Sequence, residues 1–333
     1  MGASKDLWIF IETKADNTPK NVGLELLSPG KGLAAEQGGK LVAVVIAEDA
    51  GIPAKVAGDY GADSVIAIEG SEFKHYSTDA YTAAFAHLIE KYDPLTVMIG
   101  ATTNGRDLAP RISGRVGTGL TADCTELSID EQTGCIAWTR PAFGGNIMAV
   151  IFCANHRPQM GTIRPGVFKK PSLQPKDTEI IKENFSFDSN KIRTRIVETI
   201  TEVGEKVDLE GAEIIVAGGR GLGSAAGFDL IRSFASSIGA TVGASRVAVE
   251  EGWIAHAHQI GQTGKSVAPR VYIACGISGA TQHTAGMSSS DTIIAINKDP
   301  NAWIFNIADY GIAGDLYEVL PLLEKELKAK LKA

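Results

Sequence analysis

Short β-branched runs end in Gly-, Ser- and Thr-rich turns and hand over to amphipathic helical segments along most of this chain. That rhythm admits few folds, because a strand that is apolar on both faces must be covered by helices, and the natural product is a stack of βα units around a largely parallel sheet. In the first half, residues 7–11, 41–46, 64–68 and 96–99 read as strands, while 52–60 and 79–92 carry apolar residues at i, i+3 and i+4. After Thr121 the runs come closer together, and 135–138 with 147–153 predict an antiparallel edge. Pro158, Pro165, Pro171 and Pro175 then predict an irregular, exposed stretch.

A charged, strand-like segment, 191–205, leads into Val207-Asp-Leu-Glu-Gly211, where the rhythm restarts. Strand 214–217, helix 225–238, a loop holding Ser245 and Arg246, strand 271–275, a turn and short helix to Met287, strand 292–296 and a helix from Asp315 follow. The expected organisation is α/β throughout: an N-terminal βα nucleotide-binding-like domain, 1–201, and a C-terminal doubly wound parallel-sheet domain, 202–333, with the boundary near Glu202. With 333 residues, 44% of them hydrophobic and 21% charged, the chain has material for two cores.

A net charge of −7 argues against a nucleic-acid or anionic-membrane surface, and no apolar run reaches the ~20 residues that would give stable membrane insertion. Cys124, Cys135, Cys153 and Cys275 have no CxxC spacing, so buried thiols in a reducing compartment are expected rather than a metal site. The chain enters its first strand after a short polar lead with no signal-like segment, and a cytoplasmic location is expected.

The chemistry gathers after residue 202. Gly221-Leu-Gly-Ser-Ala-Ala226 follows a strand, opens a helix and matches GxGxxA, in which glycine lets backbone amides approach a pyrophosphate. Ala244-Ser-Arg246 stands where a ribose-binding acid belongs, so a dinucleotide turn and a merely tight turn both remain open. Gly261-Gln-Thr-Gly-Lys-Ser266 ends like a Walker A loop, yet Gln259 occupies the position of its first glycine. Gln262, Thr263 and Ser266 still offer donors to some other anion or ring edge. Gly276-Ile-Ser-Gly-Ala-Thr-Gln-His-Thr-Ala-Gly286 places His283 on another such turn, in a structural or a ligand-facing role. Asn297-Lys-Asp-Pro300 and Asp309-Tyr-Gly-Ile-Ala-Gly-Asp315 complete five loops expected to converge on one crevice. In the first domain, Asn104–Arg111, Ser113–Gly117 and Arg140–Asn146 come with no acid, base or nucleophile constellation, and a partner surface is expected there.

Ala244-Ser-Arg246, Gly261-Gln-Thr-Gly-Lys265, Gly276-Ile-Ser-Gly279, Gln282-His283, Ala295-Ile-Asn-Lys-Asp299 and Ala308-Asp-Tyr-Gly311 together closely resemble the alpha subunit of electron transfer flavoprotein, and the likeness extends over essentially the whole chain. The resemblance implies a heterodimer with a beta subunit, FAD held by the C-terminal domain, and electron exchange with acyl-CoA dehydrogenase-type or other flavoprotein partners. It implies that Arg220, Ser245, Arg246, Ile260, Gly261, Gln262, Thr263, Ser278, Gly279, Ala280, Thr281, Gln282, His283, Asn297, Asp315 and Leu316 line the FAD, with Thr263 at the ring edge and Arg246 and His283 offsetting negative charge on the reduced ring. No metal is implied. An alternative keeps the fold and makes the complex a bifurcating enzyme, oxidising NADH at a second flavin in the beta subunit. A third, NAD-dependent dehydrogenase, would rest on the GxGxxA turn, and it lacks both a ribose acid and a catalytic acid or base.

Overall fold

The βα rhythm is present in a computed structural model, which describes residues 4–142, 147–186, 197–198 and 207–331. The chain forms two compact units, Met1–Thr199 and Ile200–Ala333. In the first, the elements are β1 (Leu7–Phe10), α1 (Asn21–Gln37), β2 (Leu41–Ala47), α2 (Gly51–Asp59), β3 (Ser64–Glu69), α3 (Thr78–Tyr92), β4 (Thr96–Gly100), α4 (Thr103–Val116), β5 (Leu120–Cys124), β6 (Glu126–Ile129), β7 (Ile136–Ala142), β8 (Ile147–Ile151), β9 (Gln159–Ile163) and β10 (Glu179–Lys182). A parallel sheet of order β10-β3-β2-β1-β4-β9-β5 carries the unit. β1, β2 and β4 are buried along their whole length, which is why their sequences run apolar without alternation.

Two helices escape the sequence pattern. α1 contains Pro29 and Gly30, both poor helix formers. Gly30 is there for contact: a Cβ on it would lie 2.7 Å from an Ile9 methyl and 2.8 Å from one of Leu41. α4 contains Pro110 and starts at Thr102, whose side chain accepts from the Gly105 amide at 3.0 Å, an ordinary N-cap.

The proline-marked stretch needs correction. It is not irregular at 159–163: β9 is fully buried between β4 and β5. Its polar residues conceal it, because Gln159 accepts from the Ile136 amide and Thr162 accepts from the Asp123 amide, each at 2.9 Å. Residues 135–138 and 147–151 do pair antiparallel, in a separate three-stranded sheet β6-β7-β8 and not as an edge of the main one. Residues 143–146 of the Arg140 loop, and the segment 191–205 with the expected boundary at Glu202, fall outside the described residues apart from 197–198.

The first unit's basic loops are occupied internally. Asn104 donates to Glu12, which also receives Thr102 and pairs with Lys20 at 2.7 Å. Arg106 and Arg164 share Asp123, and Arg111 pairs with Asp79. Cys124, Cys135 and Cys275 are buried and Cys153 is partly so, all as free thiols.

The second unit consists of β11 (Ile214–Gly218), α5 (Gly227–Ser237), β12 (Thr241–Ala244), α6 (Arg246–Glu250), β13 (Val271–Cys275), α7 (Thr281–Thr284), β14 (Ile293–Asn297), β15 (Tyr310–Ala313) and α8 (Leu316–Leu331). All five strands are parallel, in the order β12-β11-β13-β14-β15. Val216, Ile273 and Ile296 face α5 and α8, while Ile215, Ala217, Tyr272 and Ala295 face Ile260, Met287 and Ile304 on the other side. Alternation with period two thus builds a core on each face, and the sheet is doubly wound. From β11 the chain moves to β12 on one side and to β13 on the other. The carboxyl ends of β11 and β13 therefore diverge into the crevice where such sheets bind ligands. No helix among the described residues is long and apolar enough to cross a membrane.

Candidate functional site

A cavity of about 640 Å³ opens at that switch point. Its first wall is the turn after β11. The amides of Gly219 and Gly221 donate to the carbonyls of Cys275 and Gly276, both at 2.9 Å. A Cβ on Gly219 would meet the Gly276 carbonyl at 2.4 Å, and one on Gly221 would meet Gly276 Cα at 2.7 Å. These glycines let two strand-end turns touch backbone to backbone. At the start of α5, the amides of Gly227, Phe228 and Asp229 already donate to Ser224, Ala225 and Ala226. The Tyr317 hydroxyl, meanwhile, donates to the Leu222 carbonyl at 2.6 Å. Those three amides are thus engaged within the turn itself.

The second wall is the loop after Gln259. Ile260 donates to the Ala244 carbonyl, and Gly261, at φ 140°, brings the chain so close to α7 that a Cβ would lie 2.7 Å from the Gln282 carbonyl. Thr263 lines the cavity, and its hydroxyl oxygen accepts from Gln259 Nε2 at 3.2 Å. Lys265 does not serve as a Walker lysine: its Nζ donates to the Val207 carbonyl at 2.8 Å.

Ser245 and Arg246 form the third wall. Ser245 holds the N-cap position of α6 with no side-chain capping bond, so its hydroxyl is left for other partners. Arg246 Nε donates to Glu250 at 2.8 Å one turn along α6. Both side chains are more than half exposed, at 60% and 57%, and a pair of that kind contributes only about 0–1 kcal/mol, so the guanidinium is readily released.

His283 stands opposite on α7, buried, with Nε2 2.9 Å from the Tyr272 hydroxyl and Nδ1 without a hydrogen-bond partner. Burial lowers its pKa to about 4, against a smaller upward pull from the Ile260 backbone. With no ligand beside it, the chain therefore presents a neutral imidazole at neutral pH. Well above pH 6.5 the folded and unfolded chains are both neutral here, so this group adds no pH dependence there. Between pH 6.5 and 4 the unfolded chain takes up a proton that the folded one refuses, and stability falls by about 2 kcal/mol at pH 5. His283→Gln should flatten the decline in denaturation midpoint between pH 7 and pH 5. Equal slopes in the two chains would refute the assignment.

The cavity brings together Arg220, Ser245, Arg246, Ile260, Gly261, Thr263, Ser278, Ala280, Gln282, His283 and Asn297. Gly279 and Thr281 line an adjoining cavity of about 450 Å³ that shares Ser278, Ala280 and Asn297 with the first and runs on to Asp299, Asn301 and Trp303. Three expected residues stand apart. Gln262 is exposed, and its backbone N–H donates to the Gln282 backbone carbonyl. Asp315 pairs with Lys298 at 2.7 Å and accepts from the Tyr317 amide, and Leu316 is buried against Gly276. The sequence reading missed Val247, Ile277 and Gly276 as wall residues, and Gln259 behind Thr263. Gly276 and Ile277 lay inside a recognised turn without being singled out, and Val247 and Gln259 carried no motif that pointed to the wall.

The family model described as electron transfer flavoprotein domain matches residues 7–187, and the one described as electron transfer flavoprotein FAD-binding domain matches residues 208–288. The chain is 48% identical over 333 residues to the electron transfer flavoprotein subunit alpha of Thermoanaerobacterium thermosaccharolyticum, covering 100% of both. It is 46% identical to the corresponding subunit of Megasphaera elsdenii, over 97% of this chain and 96% of that one. It is also 41% identical to the acryloyl-CoA reductase electron transfer subunit beta of Anaerotignum propionicum, again over 97% and 96% of the two chains.

Proposed function

As the chain belongs to the electron transfer flavoprotein family, on its alpha-subunit side, we propose that the cavity at the β11/β13 switch point holds the FAD of a heterodimeric electron carrier. The observation that carries this reading is the pair of contiguous cavities sharing Ser278, Ala280 and Asn297, which suits a long, two-part ligand. The residues present fit the cofactor. Ser245 has an uncommitted hydroxyl, Arg220 and Arg246 bring positive charge, and the wall mixes apolar surface with a few directed donors.

Bound FAD supplies the electron exchange, and the protein supplies binding, orientation and electrostatics. Thr263 donates a hydrogen bond at the ring edge. Arg246 places a positive charge beside the ring that takes up negative charge. His283 contributes a neutral, buried polar edge, and the second cavity takes the remainder of the cofactor. Residues 202–333 form the FAD-binding domain and 1–201 the domain that contacts the beta subunit. β8 supports that division: Ile147, Met148, Val150 and Ile151 are exposed along a strand at the rim of a three-stranded sheet, an apolar edge of the kind that a partner covers.

The redox partners in this reading are acyl-CoA dehydrogenase-type flavoproteins in the cytoplasm, and the name of the Anaerotignum relative supports an acyl-CoA-type partner. A visible spectrum of the chain purified with its beta subunit tests the function. Flavin bands that persist in the heterodimer and are bleached by a reduced acyl-CoA dehydrogenase are expected. A colourless protein protected by NAD would overturn the reading. Two flavins per heterodimer and bleaching by NADH would establish the bifurcating alternative instead.

A further inference from the structure

We propose that Gln259, which does not line the cavity, is a positioning residue for the flavin: its buried amide occupies the Thr263 oxygen as acceptor and so leaves the Thr263 hydrogen to be donated into the cavity. The inference rests on the placement of FAD beside Thr263. A threonine hydroxyl has one hydrogen and two lone pairs, and which of them faces a ligand depends on what its other neighbour demands. Gln259 is 4% exposed, and its Nε2 approaches Thr263 Oγ1 at 3.2 Å. No carbonyl or carboxylate of the described residues takes the Thr263 hydrogen. An N–H directed at the oxygen therefore turns the hydroxyl into a donor toward the open side.

The loop geometry keeps the two side chains in register. The Gln259 backbone N–H donates to the His256 carbonyl at 2.9 Å, and the Gln259 backbone carbonyl accepts from the Lys265 backbone N–H at 2.8 Å. A Cβ on Gly264 would come within 2.4 Å of that same carbonyl, so the turn carrying Thr263 lies tight against the backbone of Gln259. Lys265, tied to Val207, anchors the far end of the turn. With the amide turned over, Oε1 would instead capture the Thr263 hydrogen and remove the donor from the cavity, so the orientation of this one amide sets the polarity of the wall.

The test uses the FAD-loaded heterodimer and reads flavin content, visible spectrum and reduction potential. It compares Gln259→Leu in the parent and in a Thr263→Ala background, since only a coupled pair departs from additivity. Thr263→Ala should retain FAD, perturb the flavin bands and lower the potential. Gln259→Leu should do the same in the parent, with most of the size, and add nothing in the Thr263→Ala background. Gln259→Glu keeps the side-chain volume and serves should Gln259→Leu fail to load FAD. Its carboxylate only accepts and draws the hydroxyl hydrogen inward, so its shift should be larger with Thr263 present than without it. The proposal is overturned if Thr263→Ala shifts the flavin while Gln259→Leu is silent, or if the Gln259 variants act equally in both backgrounds. A silent Thr263→Ala with FAD bound would instead remove the premise that Thr263 meets the ring, and the inference with it.

Discussion

Gly279→Ala is expected to destabilise the second unit by about 2–5 kcal/mol and to leave the heterodimer largely without FAD. Two costs combine. Gly279 sits at φ 88°, where a side chain costs roughly 1–2 kcal/mol. A Cβ there would also lie 2.3 Å from the Ile304 nitrogen and 2.8 Å from the Trp303 carbonyl carbon, both backbone atoms that no rotamer change can clear, and such overpacking adds about 1–3 kcal/mol. Relief would separate the turn after β13 from the 303–306 segment, whose Ile304 amide donates to the Ser278 carbonyl at 3.1 Å. Ser278 and Trp303 both line the second cavity, so the same displacement that relieves the strain reshapes the site. Gly223→Ala is the control. Its φ is 74° but nothing lies within 4 Å of the added Cβ, so only the backbone cost of about 1 kcal/mol applies. Chemical denaturation and flavin content measure both variants, and a Gly279→Ala no worse than Gly223→Ala would refute the argument.

That contrast also shows what sequence could and could not convey. The glycines at 221, 276 and 279 were legible as a turn cluster, and so was the convergence of their loops on one crevice, because strand-end turns in a parallel sheet all open on the same side. Which atom each glycine makes room for was not legible, since Gly221 meets Gly276 and Gly279 meets Ile304 through contacts distant in sequence. β9 was hidden for a related reason. Gln159 and Thr162 look exposed until their partners, the Ile136 and Asp123 amides, are in place. α1 and α4 were hidden by Pro29 and Pro110, since local propensity counted against helices that tertiary packing supports. His283 was readable on a strand-end turn, but its burial beside Tyr272, which lowers its pKa, was not.

Arg246→Ala is expected to lower the potential at which the flavin accepts its first electron by about 40–100 mV, with the fold and FAD content retained. A unit charge about 4 Å from a developing negative charge contributes roughly 1 kcal/mol in water and about 4 kcal/mol at an effective dielectric near 20. With about 59 mV and 1.4 kcal/mol per tenfold change in a one-electron couple, that range spans about 40–170 mV. The guanidinium is 60% exposed, which places the effect toward the lower end, with a covering beta subunit pushing it upward. The competing account makes Arg246 a surface partner of Glu250 and nothing more, predicting at most about 1 kcal/mol of lost stability and an unchanged potential. Glu250→Gln separates the two. Freed of its carboxylate, Arg246 should raise the potential modestly if it faces the flavin, whereas a mere surface pair would register only in the melt. Arg246→Lys should recover part of the loss, because an ammonium restores the charge but not the planar fork. Reductive titration of the FAD-loaded heterodimer decides it: equal potentials in Arg246→Ala and the parent would place the redox-tuning charge elsewhere.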